Sequence, residues 1–401
     1  MFPMAANVLQ IIRRAEIPLS KAEIADEAGV SLSAVSVHVE RLIHEKLIKL
    51  SHIGESSGGR KPKQYSVNPD YGLILSIVMG SSFVQVAFTN FDCDILCLKT
   101  SPIHISDGPE KVLSFTNRLA EQLLEQYKLN KSSIKGIGIG IPGPVDFSLG
   151  IPIAPPIMPG WDRFPIREYW AKLYDCPCYV DNDVNVMALG EYTKGLNFTT
   201  ENLLFVKIGT GIGSGIVYDG KLYRGTTGSA GDIGHFDTGR DQICWCGNKG
   251  CLEAVAGGKA IVSKGKELAL AGKSGFLLTR LQDHGELTLD DIGAGLLKLD
   301  PMAVELVRES GTVIGQVLAS VVNFSNPSLV VLGGKVSGFG DLFLAAIRQS
   351  VYQRSLPLAT RNLQINKSVL GDTAGLTGGA FMTIDQLILQ ATDDDGNHFL
   401  N

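Results

Sequence analysis

Ile134-Lys-Gly-Ile-Gly-Ile-Gly-Ile-Pro-Gly143 alternates isoleucine with glycine and then breaks at Pro142-Gly143. Alternation with a two-residue period marks a β-strand, and the Pro-Gly pair turns that strand into a loop. Upstream, Ile74-Leu-Ser-Ile-Val-Met79 and Phe83-Val-Gln-Val-Ala-Phe88 read as adjacent strands followed by a turn at Asn90-Phe-Asp92, and residues 112–127 carry a helical pattern. The strand–helix series restarts at Asn202-Leu-Leu-Phe-Val-Lys-Ile208. Strands alternating with helices imply an α/β fold. The doubling implies two related lobes, residues 71–195 and 196–390, and clefts between lobes are where small ligands usually bind.

The composition agrees with a large folded chain. Of 401 residues, 44% are hydrophobic and 19% charged, which excludes wholesale disorder, and a net charge of −5 excludes a chain basic throughout. The longest apolar runs, such as the one after Ser328, fall well short of the ~20 residues a bilayer needs, so no membrane insertion is expected. Seven cysteines, an odd number, include one tight trio; they read as reduced thiols or metal ligands in a cytoplasmic protein. Cys93, Cys97, Cys176 and Cys178 have no His or acid partner pattern and read as ordinary thiols.

The N-terminus has a different character. Residues 1–65 carry a net +2, leaving −7 for the rest. Val8, Leu9, Ile11 and Ile12 suit a first amphipathic helix. A second starts at the capping box Ser20-Lys-Ala-Glu23, with Ala22, Ile24, Ala25 and Ala28 apolar, and stops at Gly29. Ser31 can cap a third, whose Val35, Val39, Leu42 and Ile43 point inward while Ser33, Ser36, Val37, Glu40 and Arg41 point outward. Strand patterns at Leu47–His52 and Gln64–Val67 flank a Gly-rich basic arm holding Arg60, Lys61 and Lys63. Three short helices and a hairpin make residues 1–70 a winged helix-turn-helix. Small polar side chains (Ser31, Ser33, Ser36), with Val37 and Arg41, allow approach to base edges, and Arg60, Lys61 and Lys63 suit phosphate or minor-groove contact. A plain three-helix interaction domain is the alternative. Residues 391–401 read as a solvated acidic tail.

His235-x8-Cys244-x-Cys246-x4-Cys251 supplies one imidazole and three thiolates. That set fills a closed tetrahedral zinc site with no open position, so the zinc is expected to be structural. Buried free thiols beside a core histidine are the alternative.

Pro142-Gly143, Asn182-Asp183, Gly209-Thr-Gly-Ile-Gly213, Asp232-Ile-Gly-His235 and Cys244-Trp-Cys-Gly-Asn-Lys-Gly-Cys-Leu-Glu253 together resemble the ROK family of repressors and sugar kinases. No single segment is specific; the set is. The resemblance covers residues 71–390, and with the N-terminal module almost the whole chain is similar to the repressor branch that includes the N-acetylglucosamine and xylose repressors. It implies an actin-like (ribonuclease-H-like) two-lobed ATPase fold. It also implies that Gly143, Asn182, Asp183, Asp232, His235 and Glu253 hold a sugar, with Asp183 at the kinases' general-base position. Carboxylates accept pairs of hydroxyl hydrogen bonds, which suits sugar recognition. Asp232 departs from the Glu usual in the family, which leaves the preferred sugar open.

Kinases of the family open their first lobe with Asp-x-Gly-Gly-Thr-Lys. Here the stretch is Val78-Met-Gly-Ser-Ser-Phe83, so Val78, Ser81 and Phe83 replace the Asp, the second Gly and the Lys. Phosphoryl transfer depends on positioning and charge neutralisation, so catalysis is not expected even though Gly209–Gly213 and Leu332-Gly-Gly334 resemble nucleotide-side turns. The expectation is a sugar- or sugar-phosphate-responsive repressor that binds operator DNA as a homodimer or homotetramer. The alternatives are an active sugar kinase with an attached DNA-binding domain, and a repressor induced by a sugar-transport protein.

Overall fold

The computed structural model describes residues 4–53 and 62–393. Two compact units emerge: one is the chain up to Thr199 together with the segment from Gly375 onward, the other is Thr200–Ala374.

The first unit begins with helices α1 (Met4–Arg14), α2 (Lys21–Ala28) and α3 (Leu32–His44). Ser20 accepts from the Glu23 N–H while Glu23 accepts from the Ser20 N–H, completing the capping box. Those bonds hold the Glu23 carboxyl below its ordinary value. Gly29, at φ +64°, ends α2, and Ser31 caps α3 through the Ala34 N–H. Val8, Leu9, Ile12, Ile24, Val35, Val39 and Leu42 form the core of this module. Two expected inward residues lie outside it: Ile43 is 38% exposed and Ala22 is exposed. The three buried α3 positions already define a narrow stripe, and Ile43 falls beside it on a helix that ends one residue later. Ile48–Ile53 and Lys63–Val67 pair antiparallel, and the short strand Leu19–Ser20 adds to the second of them.

Behind this module lies a five-stranded sheet in the order Cys178–Asn182, Ile134–Ile141, Leu73–Met79, Phe83–Thr89, Ile95–Pro102. The first three strands run parallel, and each of the last two is antiparallel to the strand before it. The second unit repeats this in the order Gln364–Lys367, Leu329–Gly333, Leu203–Ile208, Ile212–Tyr218, Lys221–Tyr223, with the same directions. The doubled strand pattern is thus a repeated sheet topology.

The glycine alternation has a packing cause. Ile137, Ile139 and Ile141 enter the core on one face. On the other face, a Cβ at Gly138 would lie 2.1 Å from the Gly379 carbonyl oxygen, and one at Gly136 would lie 2.6 Å from Thr383. The C-terminal helix Ala374–Asp393 therefore lies directly on the central strand, held also by Ser76 Oγ donating to the Leu376 carbonyl at 2.6 Å and Tyr179 Oη to Gln390 Oε1 at 2.8 Å. This differs from the expected second lobe running to residue 390: from Gly375 the chain returns to the first unit. The winged module also belongs to the same compact unit as the first lobe, with no division at residue 70. Of the expected tail, residues 391–393 end the helix and the remainder lies outside the described residues.

Close packing here sets a prediction. Gly138→Val drives a side chain into a backbone carbonyl and will cost about 2–3 kcal/mol, read as a lowered urea midpoint at unchanged slope.

Candidate sugar and metal site

In the first unit, Ile134–Ile141 runs into the Pro142-Gly143 loop, and the parallel strand Cys178–Asn182 runs into the helix Asp183–Gly190. Asn182 joins the two. Its side-chain oxygen accepts from the Val184 and Asn185 N–H groups, and its amide donates to the Gly143 carbonyl at 3.0 Å. Asp181 accepts from the Asn182 N–H and the Asn185 amide. Asp183, the first residue of the helix, is 3% exposed. Gly143, Asn182 and Asp183 are therefore gathered at one end of the sheet.

The Val78–Phe83 stretch is packed with apolar side chains. Val78 is buried with Ala87 and Leu376. A Cβ on Gly80 would meet the Phe83 ring at 2.3 Å, and the Gly80 N–H bonds the Phe83 carbonyl.

In the second unit, Asp232, His235 and Glu253 come together. Glu253 accepts from the Ile212 N–H at 2.9 Å, within the Gly209–Gly213 hairpin, and from the Trp245 indole at 2.5 Å. A Cβ on Gly211 would sit 2.1 Å from the Glu253 carboxylate, so the hairpin glycine is needed for this contact. Partial desolvation raises the Asp232 carboxyl above its ordinary value, with His235 opposing and Glu253 adding to the shift.

His235, Cys244, Cys246 and Cys251 form the metal-type cluster, their donor atoms all within 4.8 Å of one another. Cys244 Sγ lies 3.6 Å from His235 Nδ1 and Cys246 Sγ lies 3.6 Å from Cys251 Sγ. Zinc bonds of ~2.0–2.3 Å in a tetrahedron imply ligand separations of about 3.5–3.8 Å, so the donor set fits the ion. The backbone brings these atoms together: Gly247 at φ +90° reverses the chain, the Cys244 N–H bonds the Asn248 carbonyl, and Asp237 bridges to Cys251. Trp245 was not singled out by sequence reasoning. Its ring packs edge-on against His235 at 4.7 Å and its N–H orients Glu253; the available signal was an indole placed between two ligand cysteines.

On α3, Ser31 and Ser33 are exposed, Ser36 is half-buried and Val37 is 66% exposed. Ser31 Oγ caps the helix and bonds Ser33 Oγ, and Arg41 pairs with Glu45 at 2.9 Å. Leu32, 52% exposed at the start of α3, is an additional outward residue that periodicity alone did not select. Lys63 is exposed on the returning strand, whereas Arg60 and Lys61 lie outside the described residues. Cys93, Cys97 and Cys178 are buried, consistent with inert thiols, and no helix among the described residues is long and apolar enough to cross a membrane.

Residues 76–386 match the model of the ROK family. The xylose repressor of Caldicellulosiruptor bescii is 31% identical over 371 residues, spanning 92% of each chain. A glucokinase of Halalkalibacterium halodurans is 31% identical over 314 residues, spanning 78% of this chain and 95% of that one. A solved ROK-family transcriptional regulator, described as a homologue of the Escherichia coli MLC protein, superposes with a TM-score of 0.82 at 26% identity, covering 96% of both chains. The α/β fold is thus the actin-like type preceded by a helix-turn-helix module, and the chain belongs to the ROK family.

Proposed function

We propose that the protein is a cytoplasmic, sugar-responsive transcriptional repressor that binds operator DNA through its winged helix-turn-helix and does not phosphorylate its effector. The observation that carries this reading is the combination, in one chain, of that module with a kinase-type first strand whose carboxylate position holds buried Val78. The full-length similarity to a xylose repressor supports it.

Gly143, Asn182 and Asp183 are candidate sugar- or sugar-phosphate-binding groups, and so, separately, are Asp232, His235 and Glu253. Glu253 has two acceptor positions taken by Ile212 and Trp245. A carboxylate offers about four, so its free lone pairs can accept hydroxyls in a fixed orientation. His235, Cys244, Cys246 and Cys251 would hold a zinc ion. Bound by these four ligands, zinc would supply a cross-link with no open position for chemistry, and these residues would then fix the loop that carries Trp245 to Glu253.

Repression by a sugar-sensing chain requires that the sugar bind two conformations unequally, since equal affinity shifts nothing. DNA recognition by Ser31, Ser33, Ser36, Val37, Arg41, Arg60, Lys61 and Lys63 would use two reading heads of a homodimer or homotetramer, set about one helical turn apart on DNA. Arg41 would have to leave Glu45 to reach DNA.

An ADP-coupled assay with ATP and a panel of hexoses, pentoses and hexosamines should show no turnover. Rates in the ~1–100 s⁻¹ range of kinases would overturn the regulator-only reading.

A further inference from the structure

We propose that the Asp183–Gly190 helix, the C-terminal helix and α1 form one stack that carries the state of the Asn182–Asp183 site to the DNA reading head. Gly378, Phe381, Asp385 and Arg13 are its positioning residues. The inference rests on the sugar-responsive reading and names the route of that response inside the first unit.

All eight residues of the Asp183–Gly190 helix are buried. A displacement at Asp183 therefore cannot be absorbed by solvent and passes to packed neighbours. The neighbour is the C-terminal helix, where a Cβ on Gly378 would fall 1.7 Å from the Val186 carbonyl oxygen and 2.6 Å from the Gly190 nitrogen. Backbone meets backbone there, with no flexible side chain between.

Further along the same helix, Phe381 and Asp385 meet α1. The Arg13 guanidinium stacks 4.5 Å from the Phe381 ring centroid, and its Nη1 lies 3.7 Å from Asp385 Oδ1. Gln10 donates to the same oxygen at 3.3 Å. The Arg13 side chain is only 6% exposed, and a guanidinium withdrawn from water is costly unless its partners stay in place. This makes the contact orientation-sensitive. Val8, Leu9 and Ile12 of α1 are in turn buried in the reading-head core, so α1 cannot move without the head.

A second row runs alongside. The Asp183 helix continues into a π-helical turn, Glu191–Gly195, with Lys194 paired to Asp92 and Asp94. Phe198 follows, its ring tilted against Phe381 with centroids 5.8 Å apart and covered by the Arg14 guanidinium at 5.6 Å. A π turn holds one more residue than an α turn, and conversion between the two shifts the following chain by roughly 1.5 Å. Such a conversion would give the stack an element with two discrete arrangements, which coupling between sites requires. A cavity of about 200 Å³ lined by Arg13, Arg14, Thr193, Lys194, Phe198 and Phe381 leaves room for the rearrangement.

The test uses full-length protein and a genomic DNA fragment that the wild type retains. DNA affinity is measured by anisotropy with and without D-xylose and D-glucose, and sugar binding by thermal shift. Phe381→Leu and Asp385→Asn should keep the sugar-induced thermal shift and sugar-free DNA affinity within about threefold, while the factor by which sugar changes DNA affinity falls at least ~5-fold towards unity. A factor within twofold of wild type in both variants overturns the proposal and leaves the repressor reading standing. As a second measurement on wild type, amide exchange in α1 should change on sugar binding; unchanged α1 exchange alongside a changed DNA affinity also overturns it. A wild type whose melting and DNA affinity ignore both sugars, and every sugar of the panel above, removes the repressor reading and the stack with it.

Discussion

Replacing Cys246 and Cys251 together by Ala is expected to abolish the zinc binding proposed for the cluster, lower the melting temperature by about 5–10 °C and weaken the sugar response about tenfold or more. The size follows from what the cluster holds. Cys244 and Cys251, both within the second unit, are 3% and 1% exposed. With two ligands gone, Trp245 loses the rigid turn that presents its indole to Glu253 Oε1. The hydrophobic core of that unit, built from strands such as Leu203–Ile208 and helices such as Pro301–Ser325, does not depend on the loop. Partial destabilisation, not global unfolding, is therefore expected. Elemental analysis of wild type should give one zinc per chain. Zinc-free wild type, or full zinc in the double variant, would contradict the assignment.

Substitutions in the reading head will separate into three behaviours. Val35→Asp places a charge at a fully buried position and should unfold the module, abolishing DNA binding at every salt concentration. Ser33→Tyr changes an exposed position on α3 and should leave the fold intact while changing the preferred sequence, by about 1–3 kcal/mol per disrupted base pair. Arg60→Ala with Lys61→Ala should weaken all sequences alike and reduce the salt slope by roughly 1 for each DNA phosphate that the variant no longer neutralises. Selection of bound genomic fragments followed by salt titration distinguishes them. A Ser33→Tyr protein with unchanged preference and affinity would remove α3 as the recognition helix.

Local signals were legible in the sequence. The Ser20/Glu23 box and the Ser31 cap depend on residues three positions apart, and the structure closes both; the His-Cys spacing spans 235–251, and the structure gathers its donor atoms within 4.8 Å of one another. The doubled strand order was legible because each sheet's strands follow one another along the chain. The return of the C-terminal helix was not. Its cause is a backbone-to-backbone approach of Gly138 to Gly379, and a glycine in a strand looks the same whether it serves a turn or admits a helix. Outward apolar residues such as Leu32 were missed for a related reason, since periodicity assigns apolar side chains to cores. Asn182 shows the opposite case. Its helix-capping role was readable from its place before Asp183 and was eclipsed by the sugar reading; the structure has it capping the helix and tying it to Gly143.

The most direct measurement is the affinity of full-length protein for a self-selected genomic fragment, titrated at fixed salt with D-xylose, D-glucose, N-acetylglucosamine and their phosphates. A sugar-responsive repressor must hold the fragment tightly without ligand and lose about tenfold or more in affinity with at least one member of the panel. Retention of no fragment at low salt, or an affinity that ignores every sugar, would contradict it.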